Sequence, residues 1–299
     1  MSKAISINQK QTQEAFSYKW DKRDSYESAE VQTEWKRWLI EKYFGGDSHG
    51  LQRLLGNGRK RILDAGCGAG GSALLLFGEH LKKHSYTGID ISDAVEIAKK
   101  RFKENEIPGE FIECDLSEIP EKLGQFDIIF SEGVLHHTDN TECALQLLTR
   151  RLTKGGYFLF YVYAKKAPIR EYTDDFIREK ISTLSDGEAW EALMPLTKLG
   201  KTLGDMNIEI EIPEDIPYLG ITKGKHDLQR FFFYKICKAY YRKEYSLEEM
   251  NQGNFDWFRP LNCQRHTPEE VESFCMNSGL YIERINVEES GISVIATKI

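Results

Sequence analysis

Residues 64–71, Asp-Ala-Gly-Cys-Gly-Ala-Gly-Gly, place a carboxylate and four glycines directly after the apolar run "RIL". Such a turn brings the backbone close to a ligand, and Gly66, Gly68 and Gly70 are expected to aim amide groups at it. Two spacings overlap here. Gly66, Gly68 and Gly71 fit G-x-G-x-x-G, which cradles the pyrophosphate of a dinucleotide. Asp64, Gly66, Gly68 and Gly70 fit D-x-G-x-G-x-G, with an acid two residues before the first glycine. A carboxylate there is a poor neighbour for a pyrophosphate and a good one for a ligand with ammonium and sulfonium centres. The first fit implies hydride chemistry and the second methyl chemistry.

The elements that must position this turn follow from periodicity. Short apolar runs ending in Gly, Asp or Ser ("RILDAG", "SYTGIDIS", "GEFIECD", "FDIIFSEG", "GYFLFYVY") read as strands. Helical stretches at 72–82, 93–106 and 140–152 alternate with them, which predicts a parallel sheet covered on both faces. Near the end, Thr267, Pro268 and Glu270 form a capping box and Gly279 stops the helix. The strands "LYIERINVEE" and "GISVIATKI" follow as a hairpin, giving the sheet an antiparallel C-terminal edge. The expected fold is thus α/β, a Rossmann-like, mostly parallel sheet of seven strands, with N-terminal helices and a helical lid insertion. Residues 1–58 are read as an N-terminal helical cap. Residues 59–164 and 266–299 are read as the core, and 165–265 as an aromatic-rich lid over the carboxyl edge of the sheet, where open α/β folds bind ligands. Within the cap, Val31, Trp35, Trp38 and Leu39 predict an amphipathic helix over 27–44, whereas "FSYKW" before it is too polar for core.

Asp90, ending "YTGID", is placed where a carboxylate accepts both ribose hydroxyls of either cofactor. Asp115, ending "FIECD", suits an adenine amino group, and with Asp64 it favours the second fit. On these residues the chain resembles the class I S-adenosylmethionine (SAM)-dependent methyltransferases, particularly the small-molecule branch that includes the ubiquinone and menaquinone biosynthesis methyltransferases. The resemblance covers roughly residues 59–166 and the terminal hairpin, with Lys154 where the family's "lkpGG" turn usually has proline. It implies that Asp64, Gly66, Gly68 and Gly70 surround the methionine and ribose, and that Asp90 binds the ribose with Ile91 beside the adenine. It further implies Asp115 and Leu116 at the adenine, Ser131 near the methionine, and Tyr18 and Trp20 closing over SAM or substrate. SAM would be the methyl donor, S-adenosylhomocysteine the product, and no metal is implied.

Methyl transfer needs an acceptor lone pair held in line and water excluded; a base is needed only for a nucleophile of high pKa. His136 and His137 follow the fourth strand, close to where the methyl must sit. His136 is the candidate to take a proton or orient the acceptor, and His137 reads as local packing. Arg170–Asp174 and Asp175–Arg178 have the spacing of surface pairs worth ~0.2–0.5 kcal/mol each, while Arg170 is also a candidate fork for a substrate carboxylate. Trp257 and Arg259, in "NFDWFRP", are candidate substrate contacts, as is Tyr18.

A net charge of −7 argues against nucleic acid as a partner. The start lacks a signal-peptide h-region and no stretch reaches roughly eighteen apolar residues, so a cytoplasmic protein with no membrane partner is expected. Six scattered cysteines without C-x-x-C read as reduced thiols rather than a metal site. The partner expected is a small-molecule acceptor, a carboxylate-bearing one among the options; the sequence sets neither the acceptor atom nor an oligomeric state. Three alternatives stand beside this reading: a methyltransferase fold using SAM for another reaction, a protein or tRNA methyltransferase, and, least favoured, an NAD-dependent oxidoreductase.

Overall fold

The computed structural model describes residues 5–21 and 29–299. Helices α1 (Ile7–Asp21), α2 (Ala29–Phe44) and α3 (Gly50–Leu55) precede an alternating run of strands and helices. That run is β1 (Arg61–Ala65), α4 (Gly71–Leu76), β2 (Ser85–Asp90), α5 (Ala94–Glu104), β3 (Glu110–Glu113), β4 (Phe126–Glu132), α6 (Thr141–Arg150) and β5 (Leu152–Tyr163). An insertion follows, holding α7 (Pro168–Ile181), α8 (Asp186–Met206), β6 (Glu209–Ile212), β7 (Gly224–Asp227), α9 (Leu228–Lys235) and α10 (Leu247–Phe258). The chain closes with α11 (Pro268–Asn277), β8 (Leu280–Val287) and β9 (Gly291–Lys298). No helix among the described residues is long and apolar enough to cross a membrane.

The main sheet has seven strands in the order β3-β2-β1-β4-β5-β9-β8. β1 to β5 are parallel, and β9 runs antiparallel between β5 and β8. Ile62, Leu63, Ile89, Ile129, Phe130 and Leu159 are fully buried, because helices cover both faces. α2 contributes Leu39 and Tyr43 to one of these covered faces, as its spacing predicts; residues 27 and 28, the expected start of that helix, lie outside the described residues. α11 carries the expected capping box, Thr267 accepting from the Glu270 amide. The strand order reverses between β1 and β4, and such a switch point opens a crevice beyond the strands' carboxyl ends. Residues 66–70 and 132–137 line it.

The insertion leaves and rejoins the sheet at one place, since the Lys165 amide donates to the His266 carbonyl and the His266 amide to that of Tyr163, each at 2.9 Å. Its core holds Trp190, Leu193, Phe255 and Phe258, with Ala15 of α1 packed among them. α1 is one of the expected N-terminal helices, but the segment judged too polar for core packs against the insertion through Ala15 and Tyr18. The β6–β7 pair formed by "IEIEIPEDIPYLGITKGKHD" was not expected, with Glu209 facing Asp227 and Ile210 facing His226 in register.

Candidate active site

The glycine turn sits where β1 ends. Gly66 has φ +86°, and a Cβ there would lie 2.3 Å from Val134; Gly68 has φ +49°, and a Cβ would meet the Trp20 ring at 2.8 Å. Only glycine fits both demands. The turn does not, however, aim these amides at a ligand. The Gly66 and Cys67 N–H groups both donate to the Ile89 carbonyl, Gly70 donates to Cys67, and Gly68 donates to the Asp90 carboxylate, each at 2.8 Å. The expectation of presented amides is corrected: the turn spends them on its own geometry, and a pyrophosphate would find few donors here.

It presents carboxylates instead. Asp64 is buried at 2% exposure, and its one hydrogen-bond donor is the Tyr86 hydroxyl at 2.7 Å. No cation pairs with it among the described residues. Burial pushes its pKa up to about 7, against the Tyr86 bond and with the charges of Asp90 and Glu132 adding to the rise. Asp90 Oδ1 accepts from both the Ser92 hydroxyl at 2.6 Å and the Ser92 amide at 2.9 Å, while Oδ2 accepts only from Gly68 among the described residues and keeps room for another donor. Burial raises its pKa too, against those donors. Asp115 caps the short turn that begins at Leu116, accepting from the Ser117 amide at 2.7 Å and its hydroxyl at 2.5 Å, so one carboxylate oxygen stays open. Two unpaired acids, Asp64 and Asp90, therefore converge on the crevice.

α1 covers this crevice, with Trp20 on the turn. The Gln13 amide donates to the Ile91 carbonyl at 2.6 Å, tying the helix to the loop after Asp90. Tyr18 goes elsewhere: it packs against Phe255 and Trp190 at 5.5 and 6.3 Å between ring centroids, inside the insertion. Two residues, just over half a helical turn, separate Tyr18 from Trp20, so Trp20 faces the glycine turn and Tyr18 packs into the insertion.

The opposite wall is built from the ends of β4 and β5. His136 is fully buried and stacked on Tyr163 with ring centroids 3.7 Å apart, and neither ring nitrogen has a hydrogen-bond partner among the described residues. Burial and His137 hold its pKa well below the usual imidazole value, so it is neutral. His137 donates from Nδ1 to the Asn262 carbonyl at 2.6 Å, a packing role. Tyr163 stacks in turn on Trp257 at 4.6 Å and donates its hydroxyl to Asp256 at 3.3 Å. Lys19 of α1 reaches the other Asp256 oxygen at 2.5 Å. Although burial works to raise it, the charges of Lys19, His137 and Lys238 hold the Asp256 pKa down at about 2.

Four sequence candidates turn out to be engaged elsewhere. The Ser131 hydroxyl is fully buried and donates to the Ala65 carbonyl at 2.8 Å, holding β4 to β1. Arg170 is 1% exposed, pairs with Asp174 at 2.9 Å and donates to the Phe233 carbonyl. Its pair is thus interior rather than on the surface, because α9 and α10 pack over that face of α7, and its fork is not open to a substrate. Arg259 pairs with Asp186 at 2.6 Å and donates to the Leu184 carbonyl at 3.0 Å. Trp257 donates its indole N–H to Asp174 at 2.7 Å, yet its ring stays within the wall.

Sequence reasoning passed over Lys42 and Glu132. Lys42 is fully buried, its ammonium 3.5 Å from the Trp38 ring centroid and 4.2 Å from that of Tyr161, and it pairs with Glu132. Tyr43 donates to the other Glu132 oxygen at 2.6 Å. Burial lowers the Lys42 pKa to about 8, against the pull of Glu132. The signal was present: Lys42 stands four residues after Trp38 and three after Leu39, on the helix's apolar stripe.

Fold and turn define the class, a Rossmann-like α/β domain whose glycine turn presents carboxylates at the switch point. Residues 57–201 match the family model of a methyltransferase domain. It is 37% identical over 120 residues to an uncharacterized protein of Synechococcus, covering 38% of this chain and 28% of that protein. It is 30% identical over 131 residues to the phthiotriol/phenolphthiotriol dimycocerosates methyltransferase of Mycobacterium leprae, over 43% of this chain and 47% of the relative. It is 33% identical over 103 residues to the fatty-acid O-methyltransferase of Mycolicibacterium smegmatis, over 34% and 36%. The chain spans half or less of the length of each of these curated relatives.

Proposed function

We propose that this protein is a SAM-dependent methyltransferase that transfers the methyl group to a small-molecule acceptor by in-line displacement, in the cytoplasm and without a metal. The carrying observation is the pair of acids around a turn that has spent its amides. Asp64 has no paired cation among the described residues and keeps its proton to about pH 7, a burial cost that a ligand bearing ammonium and sulfonium charge would relieve. The same turn disfavours a dinucleotide, whose pyrophosphate needs free amides and suffers beside a carboxylate. Bound SAM supplies an electrophilic methyl group on a charged sulfur.

The chain's own residues supply position and dryness. Asp90 would take a ribose hydroxyl at its open Oδ2 position, and Asp115 would take the adenine amino group beside Ile91 and Leu116. Trp20 and α1 exclude water from the turn, while Tyr163, Trp257 and His136 wall the acceptor side. A neutral His136 whose two ring nitrogens are unpartnered among the described residues can orient an acceptor hydroxyl, while its lowered pKa makes it a weak base. The two relatives with named activities methylate small molecules, which supports that acceptor class over a macromolecule.

Isothermal titration with S-adenosylhomocysteine tests the reading. The wild type binds, and Asp90→Ala binds more weakly by about tenfold or more, the loss of a charge-assisted hydrogen bond. Circular dichroism should show both proteins folded. No binding by folded wild type refutes the function, and equal affinity in Asp90→Ala refutes the ribose assignment.

A further inference from the structure

The wall opposite the glycine turn contains a buried ammonium that no side chain among the described residues contacts as a direct counter-ion. Lys238 lies in the segment between α9 and α10, is 9% exposed, and places its ammonium 4.9 Å from the Trp257 ring centroid. It has neither an ion pair nor a hydrogen-bond acceptor for that ammonium among the described residues; only its backbone amide is bonded, to Asp174 at 3.1 Å. The neighbouring carboxylates are taken, Asp174 by Arg170 at 2.9 Å and Asp256 by Lys19 at 2.5 Å. Lys166, 5.5 Å from the same ring, gives its ammonium to the carbonyls of Glu289 and Ser290, so it too lacks a carboxylate. Burial, opposed by Asp256 and reinforced by Arg170, lowers the Lys238 pKa to about 7. A buried ammonium without a counter-ion is costly unless something supplies one.

We propose that Lys238, on the Trp257 face, is the anchor for an oxyanion carried by the methyl acceptor, which makes the substrate a small acid with an apolar or aromatic body. Trp257, Tyr163 and His136 form a continuous stack from this ammonium toward the end of β4, with centroid separations of 4.6 and 3.7 Å. An apolar body laid along that stack points its far end at the crevice, while the oxyanion meets the ammonium. The role that the sequence suggests for Arg170 falls to Lys238, because Arg170 is closed by its own aspartate. The position of the acceptor rests on the methyl-transfer reading; the unbalanced ammonium does not.

Calorimetric titrations of the full chain, with S-adenosylhomocysteine measured alone and then held at saturation, separate the two. The oxyanion probes are benzoate, octanoate and inorganic phosphate, with benzyl alcohol as the neutral match to benzoate. At least one oxyanion binds the wild type, benzyl alcohol does not, Lys238→Met weakens that oxyanion about tenfold or more, and Lys238→Arg retains most of the affinity. The carboxylate and phosphate arms show which oxyanion is taken. Failure of all three oxyanions to bind, equal binding of benzyl alcohol, or unchanged affinity in a Lys238→Met protein that still binds S-adenosylhomocysteine overturns the anchor. Oxyanion binding that depends on Lys238 in a chain that ignores S-adenosylhomocysteine keeps the anchor and defeats the cofactor reading instead.

Discussion

The sheet and the insertion differ in what is added to their apolar cores, nothing polar in the one and buried hydrogen bonds in the other. In the sheet, Leu63, Ile129, Phe158, Phe160 and Val294 meet with no polar atom between their side chains, and stability grows with the apolar area removed from water. In the insertion and its seam with α1, polar atoms do the joining. Gln11 accepts from the Leu261 amide at 2.8 Å and donates to the Arg259 carbonyl at 3.1 Å, and Thr12 accepts from the Asn262 amide at 3.1 Å. Inside the lid, Asn251, Asn254 and Thr197 bond one another at 2.6 and 2.7 Å, all three fully buried. Area is additive and forgiving, whereas a buried hydrogen-bond network fixes one geometry and fails when one member goes. The molecule thus combines a tolerant platform at the glycine turn with an insertion of defined shape beside it.

The largest effect that would break this contrast is expected at Asp174. Its two oxygens receive the Arg170 guanidinium, the Trp257 indole and the Lys238 amide. Asp174→Ala strands all three, including a buried charge, and should cost about 3–5 kcal/mol in urea unfolding. The double change Arg170→Met with Asp174→Leu removes the charge together with its partner and should recover most of that loss. A single variant within 1 kcal/mol of wild type would show the lid to be held by area after all.

What the sequence disclosed follows the same division. Buried parallel strands advertise themselves as apolar runs, so the sheet, α2 and the Thr267 capping box are all readable. The acids at Asp64, Asp90 and Asp115 are legible because spacing from the glycines places them. The docking of α1 is not, since its contacts with Ile91, Arg259, Leu261 and Asn262 run through Gln and Thr side chains, which show no apolar period. β6 carries a signal that was passed over, the strict alternation Ile208-Glu209-Ile210-Glu211-Ile212, whereas its partner β7, Gly224–Asp227, shows no apolar residue at all. Buried cations are the least visible. Arg170, Lys42 and Lys238 look like surface residues until the aromatic rings that shield them are in place.

A proton sharpens the comparison at the cofactor turn. Asp64 ionises near 3.8 in the unfolded chain and near 7 in the folded one, so between those values the folded state holds the extra proton. Stability from this group is therefore full below that window and falls as pH rises through it. A cationic ligand reverses the preference by favouring the carboxylate, so SAM should bind more tightly at pH 8 than at pH 6, with affinity changing up to about tenfold per unit below the pKa. Calorimetry in two buffers of different ionisation enthalpy should register close to one proton released, and Asp64→Asn should release none. Equal affinity at both pH values, with no released proton in the wild type, would mean that Asp64 does not face the cation.

The smallest effect is expected where the platform is purely apolar. Ile129 is fully buried at the centre of β4, and Ile129→Val removes one methylene from a site whose neighbours can close only part of the gap. The cost should be about 0.5–1.5 kcal/mol, and S-adenosylhomocysteine affinity should not move, because the pleat and the hydrogen bonds to β1 and β5 are unchanged. Urea unfolding and calorimetry on the same preparation check both parts. If so mild a change weakened the ligand as much as loss of a turn carboxylate does, the sheet would be transmitting strain into the turn, and the division between a forgiving platform and an exacting lid would not hold.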